Sequence, residues 1–151
     1  MEKTLFEKFA DGDLPCWKVW ESSTHLAFLT PFANTKGQTI VVPKKSPGDN
    51  IFKMEDSHMI DLMLATKQVA KLLEKAFSVD RVGVIFEGEG VPHIHAKLYP
   101  MHGDYKTNLH NWPHPQAFFE KYPGYLTSLE GPKMSDSDLD SIQSQIISAQ
   151  K

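Results

Sequence analysis

Cysteine is nearly missing from this chain: Cys16 is the only one in 151 residues, which excludes an intramolecular disulfide and points to a reducing, cytoplasmic setting. No apolar run approaches the roughly 20 residues of a membrane span, and Met1-Glu2-Lys3-Thr4 lacks the apolar centre of a secretion signal. An excess of positive charge is missing too. With 16 Lys+Arg against 19 Asp+Glu, a formal net charge of −3 and no dense basic block, the chain has no field to hold a nucleic-acid polymer. A local cationic pocket for a small anion stays open. Internal repeats and low-complexity tracts are absent. What is present is 40% hydrophobic residues, enough for one globular domain with a substantial core.

The most informative stretch is Gly88 to Tyr99, Gly-Glu-Gly-Val-Pro-His-Ile-His-Ala-Lys-Leu-Tyr. On an extended strand His93, His95, Lys97 and Tyr99 share one side, and Ile94, Ala96 and Leu98 the other. The apolar side belongs on a core, which leaves the polar side as solvent-exposed or as a pocket floor. Gly88 and Gly90 just upstream are free to take positive φ and to let backbone N–H groups come close to a ligand, which suits an oxyanion. Two imidazoles and an ammonium beside such a turn suit phosphoryl or nucleotidyl chemistry, whereas a bare His-x-His pair equally describes a half-exposed strand face.

Spacing places the other elements. Leu5, Phe6 and Phe9 predict a short helix over Thr4 to Ala10, stopped by Gly12. Cys16 to Glu21 and His25 to Thr30 read as a hairpin, and Gln38 to Pro43 as a third strand. Lys44 and Lys45 follow as a solvated strand end. Met59, Leu62, Met63, Thr66, Val69, Ala70, Leu73 and Phe77 recur at helical steps over Glu55 to Phe77, with Asp56 or Ser57 as the expected cap. Arg81 to Glu87 and the Gly88 strand form a second hairpin across Gly88-Glu89-Gly90. The sum is α+β: a five-stranded antiparallel sheet with one long helix, plus N- and C-terminal helices, the helices lying on one face. From Met101 to Met134 prolines interrupt an aromatic-rich segment. Beyond it, Ser135 with Asp138 resembles a capping box ahead of Leu139, Ile142, Ile146 and Ile147.

Leu14-Pro15, Leu26-Ala27-Phe28-Leu29, Ile40-Val41-Val42-Pro43-Lys44-Lys45, the long helix and His93-Ile94-His95, in that order, resemble the histidine-triad (HIT) family over about residues 4–102. The family motif is His-φ-His-φ-His-φ-φ, with φ apolar. The resemblance implies one HIT-like domain over 1–151, in which 103–151 is a C-terminal extension packing on the core. It implies that His95 is the nucleophile, that His93 orients it, and that Lys97 stands in for the third histidine. It places Leu14 and Phe28 at a base and ribose pocket, Thr30 where many members carry a ribose-binding aspartate, Gly88 and Gly90 near a phosphate loop, and Glu89 where glutamine is usual. It also implies a purine nucleotide or dinucleotide substrate and a homodimer, with no cofactor.

On that basis His95 would attack an α-phosphorus, and water would hydrolyse the nucleotidyl-histidine. Lys97 would neutralise the transferring group, and backbone N–H groups from Gly88 to Val91 would add donors. Glu87 and Glu89 are candidates for orienting a histidine or a water, or are turn residues. His102 is a candidate for reaching the leaving group. Two other classes are set beside this one: a zinc site of His93 and His95 with His102, His110 or His114, and a nucleotide-binding module without turnover.

Overall fold

The computed structural model describes residues 2–103 together with Phe118, Lys121, Ser135 and Ser137. The chain divides into two compact units, 1–105 and 106–151. The rest of the aromatic segment, the C-terminal helix and its Asp138 cap, His110 and His114 lie outside the described residues, as does the packing expected of 103–151.

The first helix, α1, spans Leu5–Ala10. Thr4 caps it: the Thr4 Oγ1 accepts the Glu7 N–H at 3.2 Å while the Glu7 carboxylate accepts the Thr4 N–H at 2.8 Å. This is a reciprocal capping box, contributing about 1 kcal/mol, written in the Thr4-x-x-Glu7 spacing that hydrophobic periodicity does not use. Gly12, at φ +79°, follows the C-cap Asp11. Strands β1 (Trp17–Glu21), β2 (His25–Leu29), β3 (Thr39–Pro43), β4 (Val82–Glu87) and β5 (His95–Pro100) form one antiparallel sheet in the order β1-β2-β3-β5-β4. Helix α2, Asp56–Phe77, joins β3 to β4 by way of a short 3-10 turn at Ile51–Lys53. Its N-cap is Glu55, with no side-chain bond to the helix, so neither Asp56 nor Ser57 is the cap. Asp56 instead sits in the first turn, where its charge complements the helix dipole.

The helices divide between the two faces of the sheet, against the expectation of a single helical face. Ala27, Val41, Ala96 and Leu98 pack on Leu62, Ala65, Val69 and Leu73 of α2. Leu26, Phe28, Ile40 and Val42 pack on Phe6, with Phe9 and Ala10 of α1 beside them. The reason lies in β2 and β3, which are apolar on both sides and buried along almost their whole length, so each face needs a cover. Full burial of leucines such as Leu62 and Leu98 contributes roughly 1.5–3 kcal/mol apiece. Met63, expected in the core stripe of α2, is 49% exposed, and Ala65 takes the inward position. Among the described residues no helix is long and apolar enough to cross a membrane.

Candidate active site

Register brings the site together. Glu87 pairs with His95, and Ile85 and Ile40 flank Lys97 on the neighbouring strands. Ile94, Ala96 and Leu98 face α2, while His93 and His95 face α1, so the alternation holds. The polar side is nevertheless no open surface. His93 is fully buried, His95 is 2% exposed, and the Phe6 ring stands edge-on to both, at 5.6 and 5.1 Å between centroids. His93 precedes the first ladder residue of β5.

Hydrogen bonds to carbonyls fix the protons, because a carbonyl only accepts. The His95 Nδ1–H donates to the His93 carbonyl at 2.9 Å, so the lone pair of a neutral His95 is on Nε2. The His93 Nε2–H donates to the Pro43 carbonyl at 2.9 Å, and its Nδ1 lies 2.8 Å from the Thr4 hydroxyl. The Glu87 carboxylate sits between His95 Nε2, at 3.4 Å, and the Lys97 ammonium, with which it forms a partly buried ion pair. Burial holds His95 below its ordinary pKa, outweighing the His93 carbonyl and Glu87, which both pull upward. The imidazole is thereby kept neutral and nucleophilic near pH 7.

Of the two candidate carboxylates, Glu87 is at the histidine, whereas Glu89 is exposed and accepts the N–H of Gly88 at 2.9 Å. Neither Gly88 nor Gly90 adopts positive φ. What Gly88 answers to is crowding, since a Cβ there would overlap the Asp49 carbonyl, so this close approach is to the chain's own loop and not to a ligand. Val91 packs against the α1-side core. Phe28 is 3% exposed and closed off by Phe6 and Phe9, while Leu14 is 39% exposed and Thr30 is half-buried. His102 is drawn away from the histidines: its Nε2–H donates to the Lys36 carbonyl at 2.8 Å and its ring stands edge-on to Phe77. Among the described residues no group of three or more His, Cys, Asp or Glu is placed to hold a metal ion. A cavity of about 490 Å³ beside Thr24, His25, Lys44, His58 and Asp61 contains none of the candidate catalytic residues. Sequence reasoning passed over Thr4, Phe6 and Pro43, all of which touch the histidines.

Burial also lowers His93 and His25 from the ordinary value of 6.5, as it does His95. Between the lowered values and 6.5 the unfolded chain binds more protons than the folded one, so stability rises with pH across that interval. Thermal unfolding followed from about pH 8 to about pH 5 should give a level midpoint above neutrality and a falling one as pH drops through 6.5. A midpoint that rises on acidification would contradict this.

The fold and its candidate site are thus a five-stranded antiparallel sheet covered on both faces, with a buried His-x-His pair beside Glu87 and Lys97. The HIT domain matches residues 11–102, and the chain belongs to the HIT family. Similar curated relatives are Protein hit of Bacillus subtilis, 29% identical over 68% of this chain and 73% of its own, and Adenosine 5'-monophosphoramidase HNT1 of Saccharomyces cerevisiae, 26% identical over 84% and 83%. Among solved structures, SMU.412c from Streptococcus mutans superposes with a TM-score of 0.69 at 25% identity, covering 100% of this chain and 87% of that one. A HIT family member from Bacillus subtilis gives 0.67 at 24%, covering 97% and 96%, which bears on the fold.

Proposed function

We propose that this protein is a nucleotide hydrolase or nucleotidyl transferase that works at the α-phosphate of a nucleoside phosphoramidate, adenylate or dinucleoside polyphosphate. The observation that carries the reading is the His95 Nδ1–H bond to the His93 carbonyl, which leaves Nε2 as the free lone pair beside Lys97 and Glu87. Nε2 attacks the α-phosphorus, a P–N bond forms, and the leaving group departs with the bonding pair and takes up a proton. Water then adds to phosphorus, the P–N bond breaks and its pair returns to Nε2, releasing a nucleoside monophosphate; the proton this water gives to solvent balances the one the leaving group took from solvent. Lys97 offsets the charge on the transferring group, and the N–H groups of Glu89, Gly90 and Val91 are the loop donors left once Gly88 bonds Glu89. Leu14 and Thr30, both accessible, are the proposed contacts for a purine nucleoside, with the buried Phe28 packed behind them in the α1-side core. The names of the yeast relatives, adenosine 5'-monophosphoramidases, favour the amidate among the candidate substrates.

The test is turnover of a fluorogenic adenosine phosphoramidate and of diadenosine tetraphosphate, with mass spectrometry for a protein–nucleoside monophosphate adduct. Turnover with an adduct supports the reading. Tight nucleotide binding with neither would favour a binding module, for which the prior engagement of Lys97 by Glu87 is the supporting observation.

The protein is further proposed to act in the cytoplasm as a homodimer. β4 ends the sheet with its outer edge unpaired by any described strand, Val84 on it is 46% exposed, and Ile60, Met63 and Leu64 leave an apolar stripe on the outer side of α2. A two-fold axis at that edge would join two sheets and cover both features. Sedimentation equilibrium is expected to give twice the 17.1 kDa chain mass, and a monomer at tens of micromolar would refute the dimer.

A further inference from the structure

We infer that Thr4, the N-cap of α1, is a positioning residue for His95 that sets the ring tautomer of His93 by donating its hydroxyl proton. The Pro43 carbonyl 2.9 Å from His93 Nε2 requires a proton on that nitrogen. A neutral ring then presents a lone pair at Nδ1, and the group facing it at 2.8 Å is the Thr4 hydroxyl. The Glu7 N–H donates to the same oxygen at 3.2 Å, which occupies one of its lone pairs and leaves the hydroxyl proton for the Nδ1 lone pair. Thr4 therefore accepts from the helix and donates to the histidine.

Glu7 ties the arrangement together. Its carboxylate accepts the Thr4 N–H at 2.8 Å and the Ser46 N–H at 3.1 Å, joining the start of α1 to the turn after β3, the strand that ends at Pro43. Both polar partners of the His93 ring, Thr4 and Pro43, thus come from segments that Glu7 fastens to each other. These N–H bonds also hold the Glu7 carboxyl below the usual carboxylate range, and burial keeps His93 neutral. The His93 carbonyl in turn orients His95, and Phe6, two residues after Thr4, lies against both rings. The first turn of α1 is in this way part of the support for the nucleophile.

The consequence for rate rests on the nucleotidyl-histidine reading, whereas the tautomer does not, so the experiment has two arms. Thr4→Asp keeps a good N-cap but presents a carboxylate, which accepts and cannot donate. Nitrogen NMR of the His93 ring at neutral pH is expected to show the Nε2–H tautomer in the wild type and in Thr4→Ser, and a doubly protonated ring in Thr4→Asp. In turnover, Thr4→Asp and Thr4→Val are expected to lose about tenfold in kcat with KM little changed, as for loss of a partner that orients a functional histidine. Thr4→Ser should restore the wild-type rate. An unchanged His93 ring spectrum in Thr4→Asp, or a wild-type kcat in Thr4→Val, would overturn the inference, since a purely structural cap moves neither. If Thr4→Val fails to fold, Thr4→Asp against Thr4→Ser decides it. A wild type that turns over neither nucleotide would sink the functional reading while leaving the ring spectra to judge Thr4.

Discussion

His95→Ala is expected to lower turnover of an adenosine phosphoramidate by about 10⁴-fold or more and to abolish the nucleotidyl adduct, because the covalent path ends with its nucleophile. Among the described residues no other imidazole or amine near His95 offers a replacement. His93 has its Nε2 proton on the Pro43 carbonyl and its Nδ1 against Thr4, and Lys97 is paired with Glu87. The variant should still fold, since the two core clusters are built from other residues. Removing a ring that is 2% exposed and packed on Phe6 leaves a cavity, so its unfolding midpoint should fall; His95→Asn, closer in volume, should be equally inactive and lose less stability. Rates, intact-mass spectra and thermal unfolding of the two variants check this together. Turnover within tenfold of the wild type in a folded His95→Asn would eliminate His95 as the nucleophile.

The second large effect concerns the ion pair between Glu87 and Lys97. Lys97→Ala is expected to reduce kcat/KM by about 10²–10³-fold, the scale for losing one preorganised group that stabilises transition-state charge. Part of that loss has a second origin. The Glu87 side chain is only 14% exposed and, with the ammonium gone, its charge would face the entering phosphate unopposed. Removing that charge as well, in Lys97→Ala with Glu87→Gln, should therefore recover activity relative to Lys97→Ala alone, although Glu87→Gln by itself should lower it by releasing Lys97 from its position. The signature is a non-additive double-mutant cycle with a coupling of about 0.5–3 kcal/mol. Measuring kcat/KM for the wild type, both single variants and the double variant is sufficient. Simple additivity would mean that Glu87 and Lys97 act independently and that the pair is a surface contact of little consequence.

How much of this was readable in the chain depends on whether the relevant physics is local. Four of the strands and the two described helices lie within a residue or two of their expected positions, because alternation along a strand and three- and four-residue steps through Leu62, Val69 and Leu73 follow from backbone geometry alone, whereas β5 begins at His95 and its connection from β4 spans residues 88–94 and not Gly88-Glu89-Gly90 alone. The local errors also have local causes. Gly88 and Gly90 are free to take positive φ and do not use that freedom; Gly88 instead makes room for the Asp49 carbonyl. Met63 satisfies the helical period and still faces outward, because Leu62, Ala65, Val69 and Leu73 are the α2 residues that meet the sheet.

The sequence by itself determined the elements, the family and the face on which His93, His95 and Lys97 stand, since each of these is a matter of period and motif order. Only the tertiary structure decided what those side chains meet. Glu87 reaches His95 because β4 and β5 pair in one register among several that a seven-residue connection permits. Thr4 reaches His93 across 89 positions of sequence because the second apolar face of β2 and β3 draws α1 onto the histidine side of the sheet. Contacts of that kind carry no local signal, for they arise where two buried surfaces must be covered at once and, among the described residues, one short helix covers the second.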